Sequence, residues 1–175
     1  MTTLSLTAPG GVSRFDGVLR ALVALVGLVE GYTGLHALVS ALACSDLNFA
    51  GASALDLSSL ASLTLQPLLG CAVIALALTR RLPAAITALA LLMLAKWASE
   101  VPAIVHHGLG LAGDPLVVLH RLFRAVLQPV IAITAIAAAR PDGSVIAAAI
   151  AVILPGLLEI AGIAAFAISL GAPGL

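Results

Sequence analysis

Residues 83–108 read "PAAITALALLMLAKWASEVPAIVHHG", and this stretch decides the fold. From Pro83 to Ala95 the only polar side chain is the hydroxyl of Thr87. At a rise of about 1.5 Å per residue, the run to His106 is long enough to cross a hydrocarbon core of about 30 Å. Its second half nevertheless carries Lys96, Glu100, His106 and His107, where a membrane-spanning helix should be oily. The first half gives the fold class, and the second half marks the place to look for function.

The rest of the chain agrees. Of 175 residues, 62% are hydrophobic and 9% charged, with a mean hydropathy of +1.20. A soluble domain devotes about a quarter of its residues to charge, so this chain could not dress a water-facing surface. A net charge of zero and the lack of a basic block argue against nucleic acid as a partner. The sequence therefore predicts an all-α integral membrane protein whose first partner is the lipid bilayer.

Five segments are long and apolar enough to span: 17–43, 59–79, 83–106, 115–139 and 145–170. Turn-forming stretches separate them, "SDLNFAGASALDLSS", "RRLP", "GLGLAGDP" and "RPDG". Pro83 and Pro115 fit the first turn of a helix, where a missing N–H costs nothing. Residues 1–13 read as a flexible tail and 14–175 as one transmembrane domain, a four-helix core plus one. The "ALA" before Cys44 mimics a cleavage site, but it lies too far from the N-terminus, and Glu30 and His36 interrupt the apolar region. An uncleaved first helix is expected. Cys44 and Cys71 are the only cysteines and differ in depth, so no disulfide is expected between them.

Arginine sets the orientation. Arg14 and Arg20 flank the first span, Arg80 and Arg81 join the second to the third, and Arg140 ends the fourth. All fall on one side if the N-terminus is cytoplasmic, which puts loops 45–58 and 107–114 and the C-terminus outside. The Ala- and Leu-rich style points to a bacterial inner membrane.

All three glutamates and the only lysine lie within predicted spans. Helical rise places Glu30 and Lys96 about 20 Å, Glu159 about 22 Å and Glu100 about 25 Å from the cytoplasmic end. His120 and Arg121 come about 8 Å, and Arg124 about 14 Å, below the opposite end. Gly27, Glu30, Gly31 and Gly34 share a face of the first helix, with Gly27-x-x-x-Gly31 as a small-residue packing motif. Lys96, Glu100, Ala103 and His107 form a stripe on the third helix, and His120, Arg124 and Gln128 form one on the fourth. Gly156 and Gly162 flank Glu159 on the fifth. These stripes are expected to meet, with Glu30, Glu100 and Glu159 balanced by Lys96, Arg121 and Arg124.

Charges at mid-membrane each cost at least about 2.5–3.5 kcal/mol, so pairing is expected. Such pairs can simply hold helices in register. Three carboxylates with Pro102, Pro129 and Pro155 nearby exceed that need, because each proline frees a carbonyl that could face a cavity. The candidate ligand- or ion-binding residues are thus Glu30, Lys96, Glu100, His120, Arg121, Arg124, Gln128 and Glu159. His36, His106 and His107 form a second group near the outer face. Two facing imidazoles would suit haem b, and a histidine with Cys44 or Asp46 would suit a transition metal, though no diagnostic spacing is present. No catalytic signature of a hydrolase, P-loop, zinc protease or dinucleotide site occurs.

"GLVEGYTG" (27–34) and "GLLEIAG" (156–162) share Gly-Leu-aliphatic-Glu followed by glycine, a short internal repeat. The stretch "PLLGCAVIALALTRRLPAAITALALLMLAKW" (67–97) resembles the central helical hairpin of the DoxX-like small membrane proteins, and "GLLEIAG" resembles their glutamate-bearing helix. The order of elements departs from that family, since the glutamate helix here follows the hairpin. The resemblance implies a membrane bundle associated with quinone-linked or thiol redox systems.

Three functions are therefore open. One is a small transporter or binding protein for a polar ligand, cation or proton. Another is a redox anchor holding haem b or quinone. The third is a structural subunit of a membrane complex or homo-oligomer, which a lipid-facing patch of small residues would favour.

Overall fold

The computed structural model describes residues 11–44, 54–109, 115–140 and 143–171. Among them are five helical rods and no strand. They are α1 (Gly11–Cys44), α2 (Ala54–Leu78), α3 (Leu82–His107), α4 and α5 (Val145–Gly171). The fourth is composite: Pro115–Leu122, a π-helical turn at Phe123–Leu127, then Gln128–Ala138. All five are long and apolar enough to cross a membrane, so this is a polytopic membrane protein. Residues 1–10, Asp46, the side chain of Cys44 and residues 172–175 lie outside the described residues.

Two helices begin earlier than the apolar runs suggest. α1 starts at Gly11, within the segment read as a tail, and α2 at Ala54 rather than 59. Polar side chains close to both apolar limits are partnered. Asp16 and Arg20 form an ion pair one turn apart on α1, and Ser59 Oγ of α2 donates to the Ser99 carbonyl of α3 at 3.2 Å. Apolar runs mark the membrane-crossing length, and both helices extend past it.

The α2–α3 hairpin closes through a Schellman motif. Arg81 N–H reaches the Leu76 carbonyl at 3.0 Å and Arg80 N–H the Ala77 carbonyl at 3.3 Å. This puts Arg80 at φ 61°, a left-handed position usually taken by glycine. Pro83 then occupies the first turn of α3, as expected.

α3 is the centre of the bundle and touches every other helix. The buried core is confined to the half that bears Arg20, Arg80, Arg81 and Arg140. Val23 and Val26, Val73, Ile86, Leu89 and Val152 are all at most 1% exposed there. In lipid such a core is held by close packing rather than by expulsion of water. The tightest approach joins α1 to α2, where Gly27, Gly31 and Gly34 face Val73, Gly70 and Gln66. A Cβ added to Gly70 would lie 2.6 Å from Gly31 Cα, so only glycine lets these backbones come so close. The expected packing motif is thus a real seam, and it fixes the rotation of α1 that turns Glu30 inward.

The other half of the bundle is looser. Gln128–Ala138 of α4 packs closely against α3 and α5, whereas the part before it reaches α3 through Trp97–Ala125 and Glu100–Arg124 and leaves room beside α5. The candidate residues are in this half.

Candidate functional site

Lys96 on α3 is the hub. Its Nζ donates to Glu30 Oε2 on α1 at 2.8 Å and also to Glu159 Oε1 on α5. The two glutamates of the short internal repeat therefore share one ammonium group. Their burial differs: the side chain of Glu30 is 7% exposed and that of Glu159 28%. One turn further along α3, Glu100 pairs with Arg124 of α4. The expected meeting of stripes on α1, α3, α4 and α5 is present, as two adjoining groups rather than one layer.

Arg121, the third cation of the expected charge balance, lines a cavity together with Glu100 and Arg124. It is exposed and lies three residues before Arg124, near the His107 end of the bundle. Lys96 is bonded to two carboxylates, Glu30 and Glu159, and Arg124 to one, Glu100. With all three of its groups ionised, the Glu30–Lys96–Glu159 set carries one surplus negative charge.

Two cavities adjoin at His120 and Arg124. The main one, about 630 Å³, is walled by Glu30, Met93, Arg124, Gln128, Val152 and Glu159. Its rim includes Leu119, Val126 and Leu158, all exposed and apolar. The second, about 450 Å³, lies toward the His107 end and is lined by Glu100, His107, Arg121 and Arg124. His120 and Arg124 border both cavities. His36 and His106 border neither, and His36, His106, His107 and His120 are all exposed. Among the described residues, no three His, Cys, Asp or Glu side chains gather closely enough to hold a metal.

Pro129 does something other than expected. Pro129 has no N–H for the Ala125 carbonyl one turn before it. That oxygen is capped by the indole Nε1–H of Trp97 at 3.0 Å instead of facing the cavity. The adjoining turn widens to a π-helix, in which Gln128 N–H reaches back to the Phe123 carbonyl. Arg124 lies within this turn. Gln128 is buried and donates from Nε2 to the Met93 carbonyl at 3.3 Å. Trp97 and Gln128 thus clamp α4 to α3 on either side of the cluster's hub.

Gln66 escaped the sequence reading. It is 3% exposed on α2 and donates from Nε2 to Ser99 Oγ at 3.2 Å, while Ser99 Oγ donates to the Lys96 carbonyl at 2.7 Å. This polar chain ties α2 to the backbone that carries Lys96. A lone amide before Pro67 in an apolar run was the available signal, since a buried amide in lipid needs a partner.

Comparison with protein-family models, with curated proteins and with solved structures gives no match to this chain.

Proposed function

We propose that the protein is a small membrane transporter or ligand-binding protein whose working site, Glu30–Lys96–Glu159, takes up a cation or a proton. The observation that carries this reading is the sharing of one Lys96 ammonium by two carboxylates that also wall a cavity. A pair serving only as a register pin needs one acid per base. It gains little net stability unless close packing excludes everything else. Here the second carboxylate is surplus, partly exposed, and beside open space. An incoming cation cancels the surplus charge. Arg124, held by Glu100, acts as the fixed counter-ion on the far wall.

The arginine-bearing end is read as cytoplasmic, so the cluster lies in the outer half of a bacterial inner membrane. The DoxX-like resemblance supports a second reading, a quinone-linked redox anchor, because the apolar rim of the main cavity would also admit a quinone ring. An absorption spectrum and analysis of co-purifying lipids separate that reading from ours.

Trp97 is the only tryptophan and adjoins Lys96 in sequence, so its fluorescence reports on the cluster. Purified protein in lipid nanodiscs is titrated with protons, sodium, potassium and methylammonium. A saturable change for at least one of these, absent in Glu30→Gln/Glu159→Gln, is expected. No saturable change with any of them in the folded wild-type protein would leave the cluster as a register pin.

A further inference from the structure

We infer that the ion taken up by the cluster is a proton, and that His120 hands it from the second cavity to the Glu30–Glu159 pair. The inference rests on the proposed reading of Glu30–Lys96–Glu159 as a site for a cation or a proton. It adds which ion, by what route and through which residue.

The lining of the main cavity bears on the ion. Its side-chain oxygens come from Glu30, Gln128 and Glu159, and its other polar side chains are the basic His120 and Arg124. Hard metal cations take about six oxygen ligands or more. Here both acids are already engaged with Lys96, and Gln128 is held by its bond to the Met93 carbonyl, so the side chains assemble no such shell. A proton needs a single oxygen. On either acid it cancels the surplus negative charge and leaves Lys96 paired one to one with the other, so it belongs to the pair.

The route follows from what borders both cavities. The half of the bundle that bears Arg20 is closed by the packed core of Val23, Val26, Ile86 and Leu89, which leaves the His107 end for entry. Two residues, His120 and Arg124, line both the second cavity and the main one. Arg124 is bonded to Glu100, and a guanidinium keeps its proton at any accessible pH. An imidazole accepts a proton at one ring nitrogen and gives one up from the other. His120 is therefore the one of the two that can pass a proton on. Water bridges the remaining distance, since a cavity of about 630 Å³ has room for it and Glu30, His120, Arg124, Gln128 and Glu159 offer it partners.

In the step, a proton from water on the His107 side bonds to the free ring nitrogen of neutral His120. The other ring nitrogen releases its proton to water in the main cavity, and that water delivers one to a carboxylate oxygen of the pair. Ring rotation resets the tautomer, so His120 ends neutral and one O–H bond has been made. The groups that face the pair are Lys96 of α3 and His120 and Arg124 of α4, while α2 contributes the neutral Gln66 through Ser99. His120 shares the second cavity with Glu100, His107, Arg121 and Arg124.

The test reads the acids directly, in lipid nanodiscs. Lowering the pH should raise an infrared band of one protonated carboxyl per protein that is missing from Glu30→Gln/Glu159→Gln. At constant pH, sodium, potassium and methylammonium should leave Trp97 fluorescence unchanged. After a rapid pH drop, His120→Ala should reach the same carboxyl signal more slowly, by about tenfold or more. Free imidazole should restore the rate, and pyrazole, of the same shape but a far weaker base, should not. His120→Gln, which leaves no space for imidazole, should be slowed without rescue. Unslowed protonation in these variants overturns the relay, and a band that persists in the double glutamine variant overturns the pair as acceptor. A saturable Trp97 response to sodium, potassium or methylammonium overturns the proton as the ion and leaves the cation site standing. If folded protein shows neither the band nor a response to any ion, the cation site falls with this inference.

Discussion

Trp97 on α3 donates its indole N–H to the Ala125 carbonyl on α4, the oxygen that Pro129 leaves without a helical donor. The bond answers a strict need, because no water is present in the bilayer core to satisfy a stranded carbonyl. It also holds the π-helical turn that carries Arg124 against the face of α3 that carries Glu100.

Replacing the indole isolates that bond. Trp97→Phe keeps most of the ring and removes the donor, so it should destabilise the protein by about 1–3 kcal/mol, the cost of an unsatisfied buried group. Pro129→Ala restores a local N–H and should recover part of the loss in the double variant. Thermal unfolding in detergent for the two single variants and the double one gives the coupling. Additive effects would show that Trp97 does not cap this carbonyl.

Lys96 is the residue the cluster can least do without. Lys96→Met leaves Glu30 and Glu159 facing each other with no cation between them. Removing one partner of a buried ion pair costs about 3–5 kcal/mol, mostly as the burden of the charge left behind. Adding Glu30→Gln and Glu159→Gln to Lys96→Met removes that burden, so the triple variant should be more stable than the single one. A triple variant no more stable than Lys96→Met would mean that the acids are not burdened by losing the lysine.

These dependencies show what could be read from residues alone. The five spans were legible because bilayer thickness imposes a length on every apolar run. The meeting of Glu30, Lys96, Glu100, Arg124 and Glu159 was legible because intramembrane charges must face one another and helical spacing fixes their faces. The partition into Lys96 with two acids and Arg124 with one was not, since it depends on rotations set by the Gly31–Gly70 seam and by the π-helical turn. Arg121 and Arg124 look equivalent in sequence. Only the three-residue offset between them on the helix, read against the position of α3, separates a cluster member from an exposed neighbour. Helix starts at Gly11 and Ala54 were hidden because hydropathy marks the membrane-crossing length and not the helix end.

The glycine seam offers a contrast between two like substitutions. At Gly70 an added Cβ meets the backbone of Gly31 and the Gly27 carbonyl, neither of which can swing away. Gly70→Ala should therefore cost about 1–3 kcal/mol through overpacking and loosen α1 from α2. At Gly162 nothing lies within 4 Å of an added Cβ, so Gly162→Ala should be silent. Equal melting temperatures for the two variants would rule out the close α1–α2 approach.

Orientation can be read with two engineered thiols in a chain whose native cysteines are serine. His107 and Ser144 are both exposed and lie at opposite ends of the bundle. With the arginine-bearing end cytoplasmic, His107→Cys should react with an impermeant maleimide in intact cells. Ser144→Cys should react only after the membrane is opened. The reverse pattern would turn the protein over and put the cluster in the inner half of the bilayer.

Glu100 and Arg124 are paired, Arg124 lining both cavities and Glu100 the second, and their two deletions should differ in cost. A guanidinium cannot shed its proton at accessible pH, so Glu100→Leu leaves Arg124 charged and without its carboxylate, inside a helix that lines a cavity. A carboxyl group has another course, because it can be neutralised by a proton from water that reaches it. Arg124→Leu should therefore fold better than Glu100→Leu, by an amount on the order of 1–2 kcal/mol for a charged hydrogen bond at a partly exposed site. Both variants disturb Arg124, one by removing it and the other by releasing it from Glu100, so ligand binding in the main cavity should weaken in each despite their different stabilities. The measurements are unfolding in detergent and Trp97 fluorescence on the same samples. Equal loss of stability with unchanged binding would make the pair a helix tie and place the working site wholly at Glu30, Lys96 and Glu159.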